Sequence, residues 1–200
     1  MPDWRKYNRT ASIPQNILAT VLPYTKGKTV IDVGAGPDAT KYVDFLATKT
    51  IRIEVENCRR RPVNESIEHK LRDSRNLSPI VLVFFRVLSI LPCADLCNLR
   101  HSILALHRRI RFTIVYDYTF DDRKINEYEV VDSWMGTGFR LAVEWSEDVF
   151  HHLSRENIER IIPFEPLHEE YMEIPAHKRE DGRGILMVLQ PPQRSLSASP

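Results

Sequence analysis

Hydrophobic residues follow two spacings along this chain, and together they predict alternating helices and strands. Between residues 12 and 25 the apolar positions recur every three or four residues, at Ile13, Ile17, Leu18, Val21 and Leu22. This spacing is typical of a helix with one buried face. Residues 29–33 form a short run rich in β-branched side chains, which predicts a strand directly after that helix.

The middle of the chain continues the alternation. Residues 50–56 alternate apolar and charged positions, which favours a strand near the margin of a sheet. Residues 80–85 are continuously apolar, as expected for a strand buried on both faces in the middle of a parallel sheet. A helix over residues 94–110 and a strand over residues 112–118 follow. The fold class predicted by this order is α/β.

The last third of the chain predicts a helix, a hairpin and a tail. Residues 146–162 are predicted to be mostly helical, with Ser154 as a cap near the end. Residues 171–174 and 184–189, separated by a charged segment, predict a closing antiparallel hairpin. Residues 191–200 are rich in proline and serine, which predicts a disordered tail.

The turn after the first strand carries the most specific signal. Residues 30–37 read Val-Ile-Asp-Val-Gly-Ala-Gly-Pro, and a Gly-x-Gly turn between strand and helix brings bare backbone against a ligand. A dinucleotide site extends this to a third glycine, but here Asp38 follows Gly36 by two residues and Ala39 stands in the last position. A carboxylate repels phosphate, which argues against NAD, FAD and ATP. S-adenosylmethionine carries no phosphate and tolerates acids in this loop.

The run from Val30 to Pro37 resembles the first motif of the class I S-adenosylmethionine-dependent methyltransferases. The resemblance extends over roughly residues 12–190. It implies a Rossmann-like three-layer sandwich with a mostly parallel seven-stranded sheet that ends in the C-terminal antiparallel hairpin. Residues 69–77 resemble the short third strand of that family and the Asp-x-Arg-Asn-Leu run after it.

Further residues are expected to contact the cofactor. Glu56 ends the second predicted strand about 20 residues past the glycines, where an acid accepts hydrogen bonds from ribose hydroxyls, and Glu54 is the reserve candidate. By resemblance, Asp73 accepts a hydrogen bond from the adenine amino group, and Phe85 and Arg86 flank the methyl-donor end. The complete predicted set of cofactor-binding residues is Asp32, Gly34, Gly36, Asp38, Glu56, Asp73, Phe85 and Arg86.

The sequence predicts a methyltransferase without naming its acceptor. Methyl transfer needs mainly alignment of the acceptor, and we assign no general base, although Asp117, His151 and His152 are candidates. The acceptor is a small molecule, a protein or an RNA, and its contacts are expected around Trp134, Met135, Gly136 and Gly138. Trp4 and Tyr7 are candidates for a lid over the cofactor. A catalytically inactive cofactor-binding or protein-interaction module on the same fold is the alternative.

Length and charge composition bear on the number of domains and on nucleic-acid binding. The chain has 200 residues, and we expect a single domain over residues 1–190. Lys and Arg number 28 against 27 Asp and Glu, so the chain lacks the basic excess of a dedicated nucleic-acid binder. Two basic clusters, at residues 59–61 and 107–111, are solvated surface or phosphate contacts.

The cysteines and the lack of a long apolar run predict the setting of the protein. The three cysteines, Cys58, Cys93 and Cys97, form neither a disulfide framework nor a complete metal site. No apolar run reaches membrane-spanning length, and the first residues do not resemble a signal peptide. A cytoplasmic protein with no membrane partner is expected.

Overall fold

A computed structural model describes the chain in ten segments, residues 13–34, 45–53, 67–69, 79–91, 93–119, 128–133, 136–141, 149–151, 153–174 and 182–192. The longer helices within them are α1 (Gln15–Thr25), α2 (Cys93–Leu106) and α3 (Arg155–Ile161). The strands are β1 (Thr29–Val33), β2 (Lys49–Ile53), β3 (Ile80–Phe85), β4 (Ile110–Thr119), β5 (Tyr128–Ser133), β6 (Gly136–Leu141), β7 (Val149–His151), β8 (Glu165–Ile174) and β9 (Gly182–Gln190).

The main sheet of the described residues contains six strands in the order β2-β1-β3-β4-β9-β8. The first four strands run parallel, whereas β9 runs antiparallel to both β4 and β8. The sequence predicts seven strands. The predicted third strand begins at His69, but residues 67–69 are helical, so the strand prediction is wrong for His69. Residues 70–78 lie outside the described part.

Burial along the strands agrees with their places in the sheet. All six residues of β3 are buried, as predicted for a central parallel strand, and the structure places β3 between β1 and β4. In β2 only Ile53 is buried, which fits its position outermost among the parallel strands described here. A strand covered on both faces has no solvent-facing positions, so its sequence is apolar throughout.

Helices cover both faces of the sheet. On one face, Ile17 and Val21 of α1 pack with Phe45 against alternate residues of β1, β3 and β4. On the other face, α2 and α3 contribute a second apolar cluster that includes Leu96, Leu99, Ile103, Ile158 and Ile161. This is a mixed α/β sheet between helical layers, as in a Rossmann-like fold. No helix in the described segments is long and apolar enough to cross a membrane.

The region between β4 and α3 differs from its prediction. Strands β5, β6 and β7 form a separate three-stranded antiparallel sheet. Residues 149–151 are therefore strand and not helix, because β7 pairs with β6 from Arg140 opposite Val149 to Gly138 opposite His151. The backbone hydrogen-bonding groups of β7 are satisfied by pairing with β6, and this pairing outweighs the helical pattern of the local sequence. The predicted cap is confirmed, since the Ser154 hydroxyl oxygen accepts a hydrogen bond from the Asn157 amide at 3.3 Å.

Candidate functional site

The carboxyl end of the parallel strands contains the switch point of the sheet. Strand β1 lies between β2 and β3, so the chain leaves β1 toward one side and later returns to the other. Val33 is in register with Ile53 of β2 and Phe84 of β3, so the three strands end together. In open α/β sheets, ligands bind outside the carboxyl ends of the strands at such a point. We call this the carboxyl end of the sheet.

Gly34 makes the turn at this end, directly after β1. Its φ is +79°, in the left-handed region, and its amide donates a hydrogen bond to the Ile53 carbonyl at 2.7 Å. A Cβ at this position would lie 2.5 Å from Cγ2 of Val87, which is buried just after β3. Both the backbone conformation and the packing therefore require glycine. The turn of the first motif lies directly against the end of β3.

Arg86 occupies the end of β3 in an uncommon conformation. Its φ is +58°, and its amide donates a hydrogen bond to the Tyr116 carbonyl at 2.7 Å. Its guanidinium carbon lies 5.4 Å from the centroid of the Tyr116 ring, within the range of a cation–π contact. Left-handed backbone at a residue other than glycine costs free energy and is concentrated at functional sites. The structure therefore places a fixed cation at the carboxyl end of β3.

Tyr116 supports that cation from β4. Its side chain is fully buried, and this burial raises the pKa of its phenol. The charge of Arg86 acts in the opposite direction and lowers the same pKa, while the negative charge of Asp117 raises it. The phenol is therefore neutral at physiological pH, and the ring serves as a platform for Arg86.

Phe85 points its side chain into the core. Its ring centroid lies 5.9 Å from those of Phe45 and Tyr116, and the residue is 6% exposed. The predicted contact between Phe85 and a cofactor thus rests on its backbone. Asp32, two residues before Gly34, is fully buried in β1, in register with Arg52 and Val83.

Ser89 and Asp117 connect two strand ends, and we call them the Ser89–Asp117 pair. The Ser89 amide donates a hydrogen bond to Oδ2 of Asp117 at 3.1 Å, and the Ser89 hydroxyl donates to Oδ1 at 2.7 Å. Both residues are buried. Asp117 thereby fixes the short 3-10 turn at Leu88–Ile90, which follows β3, onto the end of β4.

This pair changes the interpretation of Asp117. The sequence made it a candidate general base, whereas both its carboxylate oxygens accept hydrogen bonds from Ser89 in the structure. Its role is to position the turn that follows Arg86. Sequence reasoning missed Ser89, and the available signal was a lone hydroxyl between Leu88 and Leu91 in an otherwise apolar segment.

Several predicted residues lie outside the described segments, and their roles remain predictions. Among the proposed cofactor contacts these are Gly36, Asp38, Glu56 and Asp73, together with the reserve residue Glu54. The same is true of Trp4, Tyr7, Trp134, Met135 and His152. The structure thus brings together Gly34, Phe85 and Arg86 at one end of the sheet, with Asp32 in the adjoining strand. In the described residues no group of three His, Cys, Asp or Glu side chains is placed to hold a metal ion.

Comparison with known proteins shows which solved structures share this fold. No protein-family model and no curated protein matches the sequence. Among solved structures, the PH0226 protein of Pyrococcus horikoshii OT3 is 12% identical with a TM-score of 0.54, covering 96% of this chain and 92% of that one.

Two further solved structures are methyltransferases. The 1,6-didemethyltoxoflavin-N1-methyltransferase of Burkholderia thailandensis, solved with 1,6-didemethyltoxoflavin and S-adenosylhomocysteine, is 11% identical with a TM-score of 0.52, covering 90% of this chain and 78% of that one. An S-adenosylmethionine-dependent methyltransferase of Methanosarcina mazei is 10% identical with a TM-score of 0.52, covering 92% of this chain and all of that one. At these identities the likeness shows a shared fold.

Proposed function

We propose that this protein is a class I S-adenosylmethionine-dependent methyltransferase. The observation that carries the proposal is the close approach of Val87 to Gly34 at the switch point, which leaves no room for a Cβ where the first glycine of the predicted motif meets the end of β3. Solved structures with this fold include methyltransferases, one of them with S-adenosylhomocysteine bound. The acceptor is a small molecule, a protein or an RNA.

The described residues fit such a cofactor by their chemistry. The positive φ of Gly34 turns the chain at the strand end, and the following backbone in the Gly-x-Gly run is predicted to face the ligand. Arg86 supplies a cation for a carboxylate, which is one of the charged groups of S-adenosylmethionine. We propose that Glu56 binds the ribose and Asp73 the adenine, in line with the family resemblance.

When bound, S-adenosylmethionine supplies an activated methyl group, so the protein has mainly to align the acceptor and exclude water. The Ser89–Asp117 pair holds the turn after β3 in one position. The Tyr116 ring holds the guanidinium of Arg86 beside that turn. These contacts fix the end of β3 before any ligand arrives, which lowers the ordering cost of binding. No general base is assigned, because a proton needs to be removed only from some acceptors.

Calorimetric titration of the purified protein with S-adenosylmethionine and S-adenosylhomocysteine tests the proposal. We expect micromolar binding that Glu56→Ala removes. The control is Gly27→Ala. Gly27 has a positive φ like Gly34, but it lies at the opposite end of the sheet, with no atom within 4 Å of an added Cβ. This variant is expected to bind the cofactor like the wild type.

Each outcome has a distinct meaning. Absence of heat with either ligand, in a protein shown to be folded by circular dichroism, contradicts the proposal. Cofactor binding without transfer of a labelled methyl group to any acceptor in a screen of small molecules, proteins and RNA would indicate the inactive binding module. Binding of reduced nicotinamide cofactor, measured by fluorescence, would indicate an oxidoreductase.

A further inference from the structure

The amino-terminal ends of the parallel strands form a second surface, opposite the candidate site. Thr29 is in register with Lys49 and Ile80, and Ile80 with Ile110, so the four strands begin at the same level. Backbone hydrogen bonds connect the preceding turns, from the Thr48 amide to the Lys28 carbonyl at 2.9 Å and from the Ile80 amide to the Arg109 carbonyl at 2.8 Å. We call this surface the amino end of the sheet.

The fold concentrates cations at the amino end. Six lie in the three residues before a strand or in its first two residues, namely Lys26, Lys28, Lys49, Arg108, Arg109 and Arg111. All are exposed except Lys28, which is half-buried. Among the described strands that start at this end, β8 begins with an acid, Glu165. Strand β8 lies two strands away from β4. The net charge of +1 for the whole chain conceals this local excess.

Two of these cations share one aromatic ring. Nζ of Lys28 lies 5.8 Å, and the guanidinium carbon of Arg111 5.4 Å, from the centroid of the Phe112 ring. Tyr24 also packs edge-on against the ring, at 5.2 Å between centroids. These contacts orient the two charges and surround the ring of Phe112. The ring is therefore poorly placed to stack on a nucleic-acid base, which is how single strands are usually held.

Exposed aliphatic side chains lie at the same end of the sheet as the cations. Four large hydrophobic residues are exposed in the described segments, and three are at the amino end: Leu46 (47%), Leu104 (42%) and Leu167 (44%). The Leu46 carbonyl accepts a hydrogen bond from the Gly27 amide at 2.9 Å, and Leu46 has a φ of +48°. Leu104 is linked to the basic turn, because its carbonyl lies 2.8 Å from Nδ1 of His107. Leu167 is the third residue of β8.

We propose that the amino end of the sheet docks on the surface of an anionic lipid membrane. Clustered Lys and Arg side chains attract anionic headgroups, and exposed aliphatic side chains insert at the boundary between headgroups and acyl chains. A nucleic acid would use the cations but would leave the leucines in water. The sequence alone predicts no membrane partner, because the cations come from three separate segments that only the fold brings together.

Docking in this orientation leaves the candidate site accessible. Strand β1 separates the two ends by five residues, about 16 Å at the usual rise of a strand. The surface therefore localises the protein and does not hold the methyl acceptor. This inference is independent of the proposed function, since it involves none of the predicted cofactor contacts.

Co-sedimentation of the full chain with vesicles tests the inference. We expect binding to phosphatidylcholine vesicles that contain phosphatidylserine, weakening as salt is raised, and no binding to phosphatidylcholine alone. The double variant Arg108→Gln/Arg109→Gln is expected to bind roughly tenfold or more weakly, given the usual contribution of each cation at a membrane surface. It should still fold, because the bond between Ile80 and Arg109 uses only the Arg109 backbone.

Two further variants separate the possible explanations. Arg155→Gln removes a single exposed cation outside the amino end and is expected to leave vesicle binding unchanged. Leu46→Ser is expected to weaken vesicle binding several-fold and to leave any weak binding of a single-stranded RNA homopolymer unaltered. The inference is overturned if the wild type does not bind phosphatidylserine vesicles, if Arg155→Gln weakens binding as much as the double variant, or if RNA is bound and vesicles are not.

Discussion

The two ends of the parallel strands both contain residues with left-handed backbone conformation, but the surroundings of these residues differ. Among the described residues, each end has one glycine and one other residue with a positive φ: Gly34 and Arg86 at the carboxyl end, Gly27 and Leu46 at the amino end. At the carboxyl end, Val87 fills the space beside Gly34 and the Tyr116 ring packs under Arg86. At the amino end, the space beside Gly27 is open and Leu46 is half-exposed.

The difference is one of packing: the backbone at the carboxyl end is enclosed by neighbouring side chains, and the backbone at the amino end is exposed. Buried contacts over-determine the backbone at the carboxyl end, as expected where a small ligand must be held in one geometry. The amino end presents charges and aliphatic side chains around turns in which Gly27 has open space beside it and Leu46 is exposed. Such a surface suits a partner that is extended and not uniquely shaped. Four substitutions and one control test the contrast, beginning with the largest expected effect.

Gly34→Ala should destabilise the protein strongly. The left-handed conformation costs about 1–2 kcal/mol for alanine, and the overlap with Val87 adds about 1–3 kcal/mol of overpacking. We therefore expect a loss of about 3 kcal/mol in the free energy of unfolding, measured by urea denaturation.

The matched control is Gly27→Ala, for which only the conformational cost applies, about 1 kcal/mol. Equal losses for the two variants would show that the packing difference between the two ends has no energetic consequence.

Ser89→Ala should have the next largest effect. The Asp117 carboxylate would lose the 2.7 Å hydrogen bond that it accepts from the Ser89 hydroxyl. Loss of a hydrogen bond to a buried charge costs about 2 kcal/mol. Urea denaturation measures the loss. A variant with wild-type stability would mean that the Ser89–Asp117 pair does not hold the turn after β3 in place.

Tyr116→Phe should alter the dependence of stability on pH. Burial raises the pKa of Tyr116, so the unfolded chain ionises this tyrosine at a lower pH than the folded protein. The folded state then binds more protons, and stability falls as pH rises above the unfolded value of about 10. We expect a steeper alkaline loss in the wild type than in Tyr116→Phe, seen by urea denaturation from roughly pH 8 to pH 11. Parallel profiles would contradict the assignment.

Thr113→Val should have the smallest effect and the opposite sign. Thr113 is fully buried in β4, and its hydroxyl has no hydrogen-bond partner among the described residues. Replacing it with an apolar side chain of the same shape removes a desolvated hydroxyl and should stabilise the protein by about 1 kcal/mol or less. A destabilised variant in thermal melts would show that the hydroxyl is satisfied.

The sequence was sufficient where a single local property decides the structure. The unbroken apolar run of β3 follows from burial on both faces, and Ser154 caps α3 because a hydroxyl before a helix satisfies a free amide. It failed at residues 149–151, where pairing with β6 outweighs the helical pattern. In the candidate site it indicated Gly34 and Arg86 but missed Ser89, whose importance depends on a residue 28 positions away.

What the sequence by itself determined is therefore the order of the elements from α1 to β4 and the glycine turn, since these depend on neighbouring residues. Only the tertiary structure decided that Gly34 packs on Val87, that Asp117 accepts hydrogen bonds from Ser89, and that cations from three segments lie at the amino end. The physical reason is distance along the chain. Hydrophobic periodicity acts over a few residues, whereas packing, buried hydrogen bonds and surface charge depend on which distant segments the sheet places side by side.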